Sequence, residues 1–127
     1  MRIVIDASAA FVMLATPARV AQPFADATDV LAPELIVAEV LNARWKVARA
    51  GAIAPSLDAV LGLFDRIHLA RTVPYAADAA ALAQHLDHPV CDCLYAVLAK
   101  RENARFATAD PRFAAKLINE SVDVVVL

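Results

Sequence analysis

Short apolar runs alternate along the chain with longer stretches in which apolar residues recur at helical spacing. The apolar runs predict strands at residues 2–5, 29–32, 68–73, 105–108 and 122–127. Helical spacing predicts helices at residues 7–15, 18–27, 33–50, 55–66, 74–86, 92–101 and 111–117. Strands that alternate with helices predict one three-layer α/β domain over residues 1–127, with a mainly parallel sheet of four or five strands flanked by helices.

The composition is that of a folded domain and leaves its partners open. Hydrophobic residues make up 61% of the 127 residues, which excludes an intrinsically disordered chain. The formal net charge of −2 predicts no overall attraction to nucleic acid, so any basic surface has to be local. Asp6 interrupts the first apolar run too early for a secretory signal, and no run approaches the roughly 18 apolar residues of a membrane span.

The only cysteines, Cys91 and Cys93, are separated by one residue. A disulfide at that spacing would be strained, and His68, His85 and His88 do not have the spacing of zinc partners. We therefore expect both cysteines to be small buried residues of a reduced, cytoplasmic protein.

Three aspartates stand where a predicted strand or loop passes into a helix. Asp6 follows the first strand, Asp110 follows the strand at 105–108, and Asp92 begins a helix. Because open parallel sheets bind ligands beyond the carboxyl ends of their strands, we expect these side chains to face one edge. Asp is also a preferred N-cap residue, and capping is the simpler explanation of each aspartate taken singly.

Glu39 is different, because it lies inside the predicted helix 33–50 and cannot be a cap. Helical spacing places it in a polar stripe with Asn42, Lys46 and Arg49. Taken alone, an ordinary solvated helix face is the simpler explanation of this stripe.

The four acids together, in this order and at these intervals, resemble the PIN-domain family. The matching segments are residues 3–8 (Ile-Val-Ile-Asp-Ala-Ser), 38–42 (Ala-Glu-Val-Leu-Asn), 90–99 (Val-Cys-Asp-Cys-Leu-Tyr-Ala-Val-Leu-Ala) and 107–110 (Ala-Thr-Ala-Asp). Within that family, a compact chain of this length resembles the VapC toxins of toxin–antitoxin pairs.

The resemblance implies a metal-dependent endoribonuclease that holds one or two Mg²⁺ or Mn²⁺ ions. Hard cations prefer carboxylate oxygens, and the three histidines lie outside all four acidic motifs. The implied catalytic and metal-binding residues are Asp6, Glu39, Asp92 and Asp110. Ser8 and Thr108 are candidates to hydrogen-bond a carboxylate or a water on the metal, and local capping explains them equally well.

Basic and aromatic side chains near these motifs are candidates for RNA contacts. The candidates for phosphate contacts are Lys46, Arg49, Arg112 and Lys116, although plain surface charge is the better explanation of each taken singly. Trp45 and Tyr95 have faces that can stack on a base, but packing in a helical core or a dimer is the better explanation.

The resemblance also implies partners. VapC-like toxins pair with themselves and with a small VapB-like antitoxin, so we expect a homodimer bound by an antitoxin, with DNA contacted only through the antitoxin. A self-contained monomer is the alternative. We expect no contact with membranes.

Other function classes stay open but fit less well. A dehalogenase-like phosphatase needs a second Asp two residues after the first, where this chain has Ser8. A receiver-type signalling domain usually has paired acids after its first strand, and here Asp6 is followed by Ala7. A PIN-like binding module without catalysis is the third alternative, and only an activity assay separates it from a nuclease.

Overall fold

Five apolar segments form the strands of one sheet. The computed structural model describes residues 1–127. Its strands are β1 (Arg2–Ile5), β2 (Asp29–Pro33), β3 (His68–Ala70), β4 (Arg105–Thr108) and β5 (Val124–Val126). The sheet has five strands, and all four neighbouring pairs are parallel, which confirms the predicted α/β fold class.

Seven α-helices connect these strands. They are α1 (Ala7–Ala15), α2 (Ala18–Ala21), α3 (Leu35–Arg49), α4 (Leu57–Asp65), α5 (Ala76–Leu86), α6 (Val90–Arg101) and α7 (Pro111–Lys116). A 3₁₀ turn at Val73–Tyr75 precedes α5.

The strand order creates a crevice beside the central strand. The order is β3-β2-β1-β4-β5, so the chain first moves outward from β1 to β3 and then returns to place β4 on the other side of β1. Right-handed crossovers put α1 to α4 on one face of such a sheet and α5 to α7 on the other. The direction of travel therefore reverses between β1 and β4, which is where open α/β sheets bind ligands.

Helix α6 lies at the centre of the core. Seven consecutive residues of it, Cys93–Ala99, are buried. The helix packs against β1, β2 and β4 on one side and against α5 on the other. A helix enclosed in this way is apolar all round rather than along one stripe.

The predicted helix 18–27 is wrong beyond Ala21. Helix α2 ends there, and residues 22–26 form turns. Pro23 has no backbone N–H, and its ring crowds the carbonyl group four positions earlier, so an α-helix does not continue through it.

Pairing between strands decides the bounds of other elements. Pro33 pairs with Ala70 as the last residue of β2, so α3 begins at Leu35 rather than at Pro33. The predicted strand 68–73 ends at Ala70 because its only partner, β2, ends there. The strand expected at 122–127 is shorter in the structure, because only the three residues of β5 pair with β4.

The start of α6 differs from the prediction in a way that matters for the third acid. The helix begins at Val90 after Pro89, so Asp92 lies within its first turn and is not its N-cap.

The expectation of two buried cysteines is wrong for Cys91, which is exposed, whereas Cys93 is buried. Two positions on a helix differ by roughly 200° in direction, so one thiol faces the core and the other faces solvent.

Candidate metal centre

Asp6 lies almost buried at the carboxyl end of β1, with 8% of its surface exposed. It is the N-cap of α1, and its Oδ1 accepts from the Ala9 amide at 2.8 Å and from Ser8 Oγ at 2.6 Å. Burial raises the pKa of Asp6, hydrogen bonds from Ser8, Thr108 and Ala9 oppose that rise, and the charge of Asp92 adds to it. Asp6 therefore caps a helix and also lies within a cluster of acids.

Ser8 and Thr108 connect Asp6 to the segment that follows β4. Thr108 Oγ1 donates to Asp6 Oδ2 and accepts from the Asp110 amide at 3.1 Å. Ser8 Oγ donates to Asp6 and accepts from the Ala109 amide at 2.8 Å. Both hydroxyls thus fix the orientation of the Asp6 carboxylate relative to the β4–α7 connection.

Glu39 reaches the same edge of the sheet from α3. Its Oε1 accepts a short hydrogen bond from the hydroxyl of Tyr95, a residue of α6 that is only 1% exposed. Burial raises the pKa of Glu39, the hydrogen bond from Tyr95 lowers it, and the charges of Asp92 and Asp6 raise it. Burial and the bond to Glu39 also raise the pKa of Tyr95, so its hydroxyl stays protonated and donates.

Asp92 lies in the first turn of α6, with 38% of its side chain exposed. Its Oδ2 bonds Nε2 of His88 at 2.7 Å. Asp110 is the N-cap of α7, and its Oδ1 accepts from the amides of Arg112 at 3.0 Å and Phe113 at 3.3 Å. The capping explanation therefore holds for Asp6 and Asp110, but not for Asp92.

All four acids line one cleft of about 100 Å³. Its other lining residues are Ala7, Ser8 and Tyr95. The acids come from the ends of β1 and β4 and from α3 and α6, and they meet where the strand order reverses.

The chemistry of this cleft fits a hard divalent cation. Its donors are carboxylate oxygens, and burial, with a smaller contribution from repulsion among like charges, raises the pKa of Asp6 and Glu39. In the present arrangement, however, no three acidic, histidine or cysteine side chains converge closely enough to ligate one ion. Each carboxylate is instead engaged by a partner of its own within the protein.

Comparison with known proteins identifies the family. A model of the PIN domain family matches residues 3–116. The chain belongs to the PIN domain family. Members of this family are generally nucleases and typically use divalent metal ions.

Solved structures share the PIN fold along nearly the whole chain. PAE2754 from Pyrobaculum aerophilum has a TM-score of 0.76 at 19% identity, over 98% of this chain and 90% of that one. VapBC-1 from nontypeable Haemophilus influenzae has a TM-score of 0.68 at 14% identity, over 99% and 98%. VapBC2 from Rickettsia felis, solved with a DNA fragment from its promoter, has a TM-score of 0.65 at 13% identity, over 100% and 99%. No curated protein matches the chain.

The basic residues expected near the acids of this PIN domain lie on two helices. Lys46 and Arg49 are exposed on α3, and the Arg49 guanidinium lies 5.2 Å from the ring centre of Trp45. Arg112 and Lys116 are exposed on α7, and Lys116 Nζ donates to the carbonyl oxygen of Asp87 at 3.0 Å. None of the four lines the acidic cleft.

The two candidate aromatic residues have different environments. Tyr95 is buried in the core, as the packing explanation expected, but its hydroxyl also reaches the cleft. Trp45 is 52% exposed, so it is not a core residue. No helix of the chain is both long and apolar enough to cross a membrane.

Sequence reasoning missed two residues that contact the acids. His88 was placed outside the acidic motifs, yet it bonds Asp92. Tyr95 was considered only for packing or base stacking, yet it donates to Glu39. Helical spacing gave a signal for Tyr95, which lies three positions after Asp92 on the same face of α6. It gave none for His88, which precedes the helix.

Proposed function

We propose that this chain is a divalent-metal-dependent endoribonuclease of the VapC toxin type. The observation that carries the proposal is the convergence of Asp6, Glu39, Asp92 and Asp110, from four separate elements, on one cleft where the strand order reverses. Capping accounts for two of these acids singly, but it does not account for Glu39 or Asp92 facing the same cleft.

The four acids are the proposed ligands of Mg²⁺ or Mn²⁺. A bound cation of this kind neutralises charge on a phosphodiester and lowers the pKa of a coordinated water. Asp6 is held in place by Ser8 and Thr108, whereas Glu39 and Asp92 each keep one carboxylate oxygen outside the bonds to Tyr95 and His88. Because no three acids converge at present, ion binding requires side-chain reorientation within the cleft.

RNA is the proposed substrate, and its phosphates need cationic partners outside the acidic cleft. Lys46 and Arg49 on α3 and Arg112 and Lys116 on α7 supply them in this proposal. Exposed cations on these two helices would offset the negative charge of the cleft locally, although the net charge of the chain is −2.

Cleavage of defined RNAs in Mg²⁺, Mn²⁺ or EDTA tests the proposal. We expect cleavage only with metal, and we expect Asp6→Asn, Glu39→Gln and Asp92→Asn each to lose most activity while remaining folded. Asp110→Asn should be milder, because in this proposal the fourth acid would hold the ion through a water molecule.

Matched controls come from exposed acids outside the cleft. Glu34→Gln, at the start of the same helix as Glu39, and Asp65→Asn, at the end of α4, should both retain full activity. Undiminished cleavage in EDTA, or by Asp6→Asn, would overturn the nuclease proposal. Metal binding without any RNA cleavage would favour the alternative of a binding module.

We further propose an antitoxin partner and a homodimer. Two structural neighbours are VapBC assemblies. Helices α3 and α4 of this chain expose Trp45, Leu57 and Leu61, while Ile36 and Val60 of the same helices are buried. Some apolar residues of these two helices therefore lie in the core, and others are exposed to solvent.

A basic residue of the antitoxin, most favourably Arg, would pair with the carboxylates bidentately and oppose metal binding. Light scattering should report a dimer, and the product of the adjacent gene should copurify and inhibit cleavage. A monodisperse monomer, fully active beside that product, would refute the partner proposal and leave the nuclease proposal standing.

A further inference from the structure

The side chain of Asp92 has one hydrogen bond to another side chain, and its partner is His88. Nε2 of His88 lies 2.7 Å from Asp92 Oδ2, four residues away along the chain. An ionised carboxylate only accepts hydrogen bonds, so the contact requires the proton on Nε2. The contact occupies Oδ2 of Asp92 and leaves Oδ1 without a hydrogen bond from another side chain, on a residue that lines the cleft.

The imidazole of His88 is itself held in place. Its side chain is 12% exposed, and its ring stacks on Phe113 with centroids 4.4 Å apart and planes 15° apart. Phe113 is 1% exposed and packs edge-on against Phe106 of β4. A ring fixed by the core gives its hydrogen bond a defined direction, unlike a bond from a long, solvated side chain.

The same stack joins the third acid to the fourth. Phe113 belongs to α7, and its amide donates to Asp110 at 3.3 Å. Phe113 therefore donates its amide to the N-cap Asp110, and its ring supports the histidine that bonds Asp92. These contacts are not made by the backbone of a strand. They lie on the face of the sheet opposite to α3.

We propose that His88 is a positioning residue for Asp92, which fixes the carboxylate so that its free oxygen is presented to a divalent cation. This inference rests on the proposed function, because it treats Asp92 as a metal ligand. Hydrogen-bond partners of metal ligands typically change metal affinity by about 10- to 100-fold when they are removed.

Three substitutions separate the hydrogen bond from the stack. His88→Phe keeps a ring on Phe113 and loses the donor, His88→Gln keeps a donor near the Nε2 position and loses the ring, and His88→Ala loses both. His85→Phe is the matched control, because His85 bonds Glu120 through Nε2 at 3.1 Å, away from the acidic cleft.

Isothermal titration of the metal-free full chain with Mn²⁺ measures the effect without any RNA. We expect His88→Phe to weaken Mn²⁺ binding by about tenfold or more and His88→Gln to restore most of the loss, with His85→Phe at the wild-type value. In an Asp92→Asn background, His88→Phe should have no further effect. Circular dichroism melts measure the thermal stability of each variant, and of the three substitutions we expect His88→Phe to change it least.

The outcomes distinguish this inference from the proposed function. Wild-type Mn²⁺ affinity in His88→Phe overturns the positioning role alone, and so does a higher affinity, which would mean that His88 competes with the ion. A loss in His88→Gln equal to that in His88→Phe also overturns it. Absence of Mn²⁺ binding by the wild type, or undiminished binding by Asp92→Asn, overturns the proposed function and this inference with it.

Discussion

Helices α3 and α6 each supply one acid to the cleft, yet they are built differently. Helix α6 is buried for seven consecutive residues, whereas in α3 only Ile36 and Val40 are fully buried. They contact different parts of the sheet: α6 packs on β1, β2 and β4, and α3 packs on α1, α4 and β2. The hydrogen bond from Tyr95 to Glu39 links them at the carboxyl edge of the sheet.

The difference shows two ways of holding a carboxylate. Asp92 lies in the first turn of a helix that is packed in the core, and a hydrogen bond to the imidazole of His88 orients its carboxylate. Glu39 stands on a helix that packs along one side, and a hydroxyl from the buried helix directs it. The buried helix therefore organises both sides of the cleft, and substitutions within it should have the larger effects.

Truncation of one leucine in each helix gives the largest expected difference. Leu98 of α6 is fully buried, so Leu98→Ala should lower the free energy of unfolding by about 2–5 kcal/mol. Leu41 of α3 is half-buried, so Leu41→Ala should cost roughly 1–2 kcal/mol. Urea denaturation measures both, and equal losses would contradict the contrast between the helices.

Metal binding should stabilise the fold through acids on both helices. At 100 times its Kd, Mn²⁺ should add about 2.7 kcal/mol to the free energy of unfolding. Calorimetry should show the melting temperature rising with Mn²⁺ in the wild type and much less in Glu39→Gln or Asp92→Asn. The same rise in all three proteins would mean that the ion binds elsewhere.

The hydroxyl that links the two helices should contribute to stability. Tyr95→Phe leaves a half-buried carboxylate without its donor, at a cost of about 1–3 kcal/mol. In the control Tyr75→Phe, Glu102 loses a 3.3 Å bond but keeps Arg2 as its partner, so the loss should stay below about 1 kcal/mol. Similar losses in thermal melts would show that the link between α6 and α3 is energetically unimportant.

The smallest expected effect is a pH dependence from Glu39. Burial raises the pKa of Glu39 in the folded protein above its ordinary value of 4.5, so the folded state holds this proton more tightly than the unfolded state. The contribution of Glu39 to stability is therefore present below about pH 4.5 and is lost as pH rises through the folded-state pKa.

Glu39→Gln lacks this titration and keeps an acceptor for Tyr95. In EDTA, the stability of the wild type relative to Glu39→Gln should therefore fall with rising pH across that interval and then become constant. If the stability of the wild type relative to Glu39→Gln rose with pH instead, the pKa of Glu39 would be lowered by folding and not raised. Melting temperatures of both proteins between about pH 4 and pH 8 make the comparison.

The fold and the four acids were accessible to sequence reasoning for a specific reason. Strand periodicity, strand–helix alternation and the position of acids after strands are local properties, and the parallel topology brings strand ends to one edge. The ends of elements were less accessible, because pairing across the sheet decided where β2 and β3 stop. Pro23 was a local signal that should have shortened the helix predicted at 18–27.

Local patterns along the chain were enough to predict an α/β domain and the four acids, because backbone propensity and spacing are properties of short segments. The partner of each carboxylate depends instead on tertiary packing. Tyr95 meets Glu39 across 56 residues, and Thr108 meets Asp6 across 102. Such contacts depend on how whole helices and strands pack, and side chains find their hydrogen-bond partners only after that packing has fixed distance and direction.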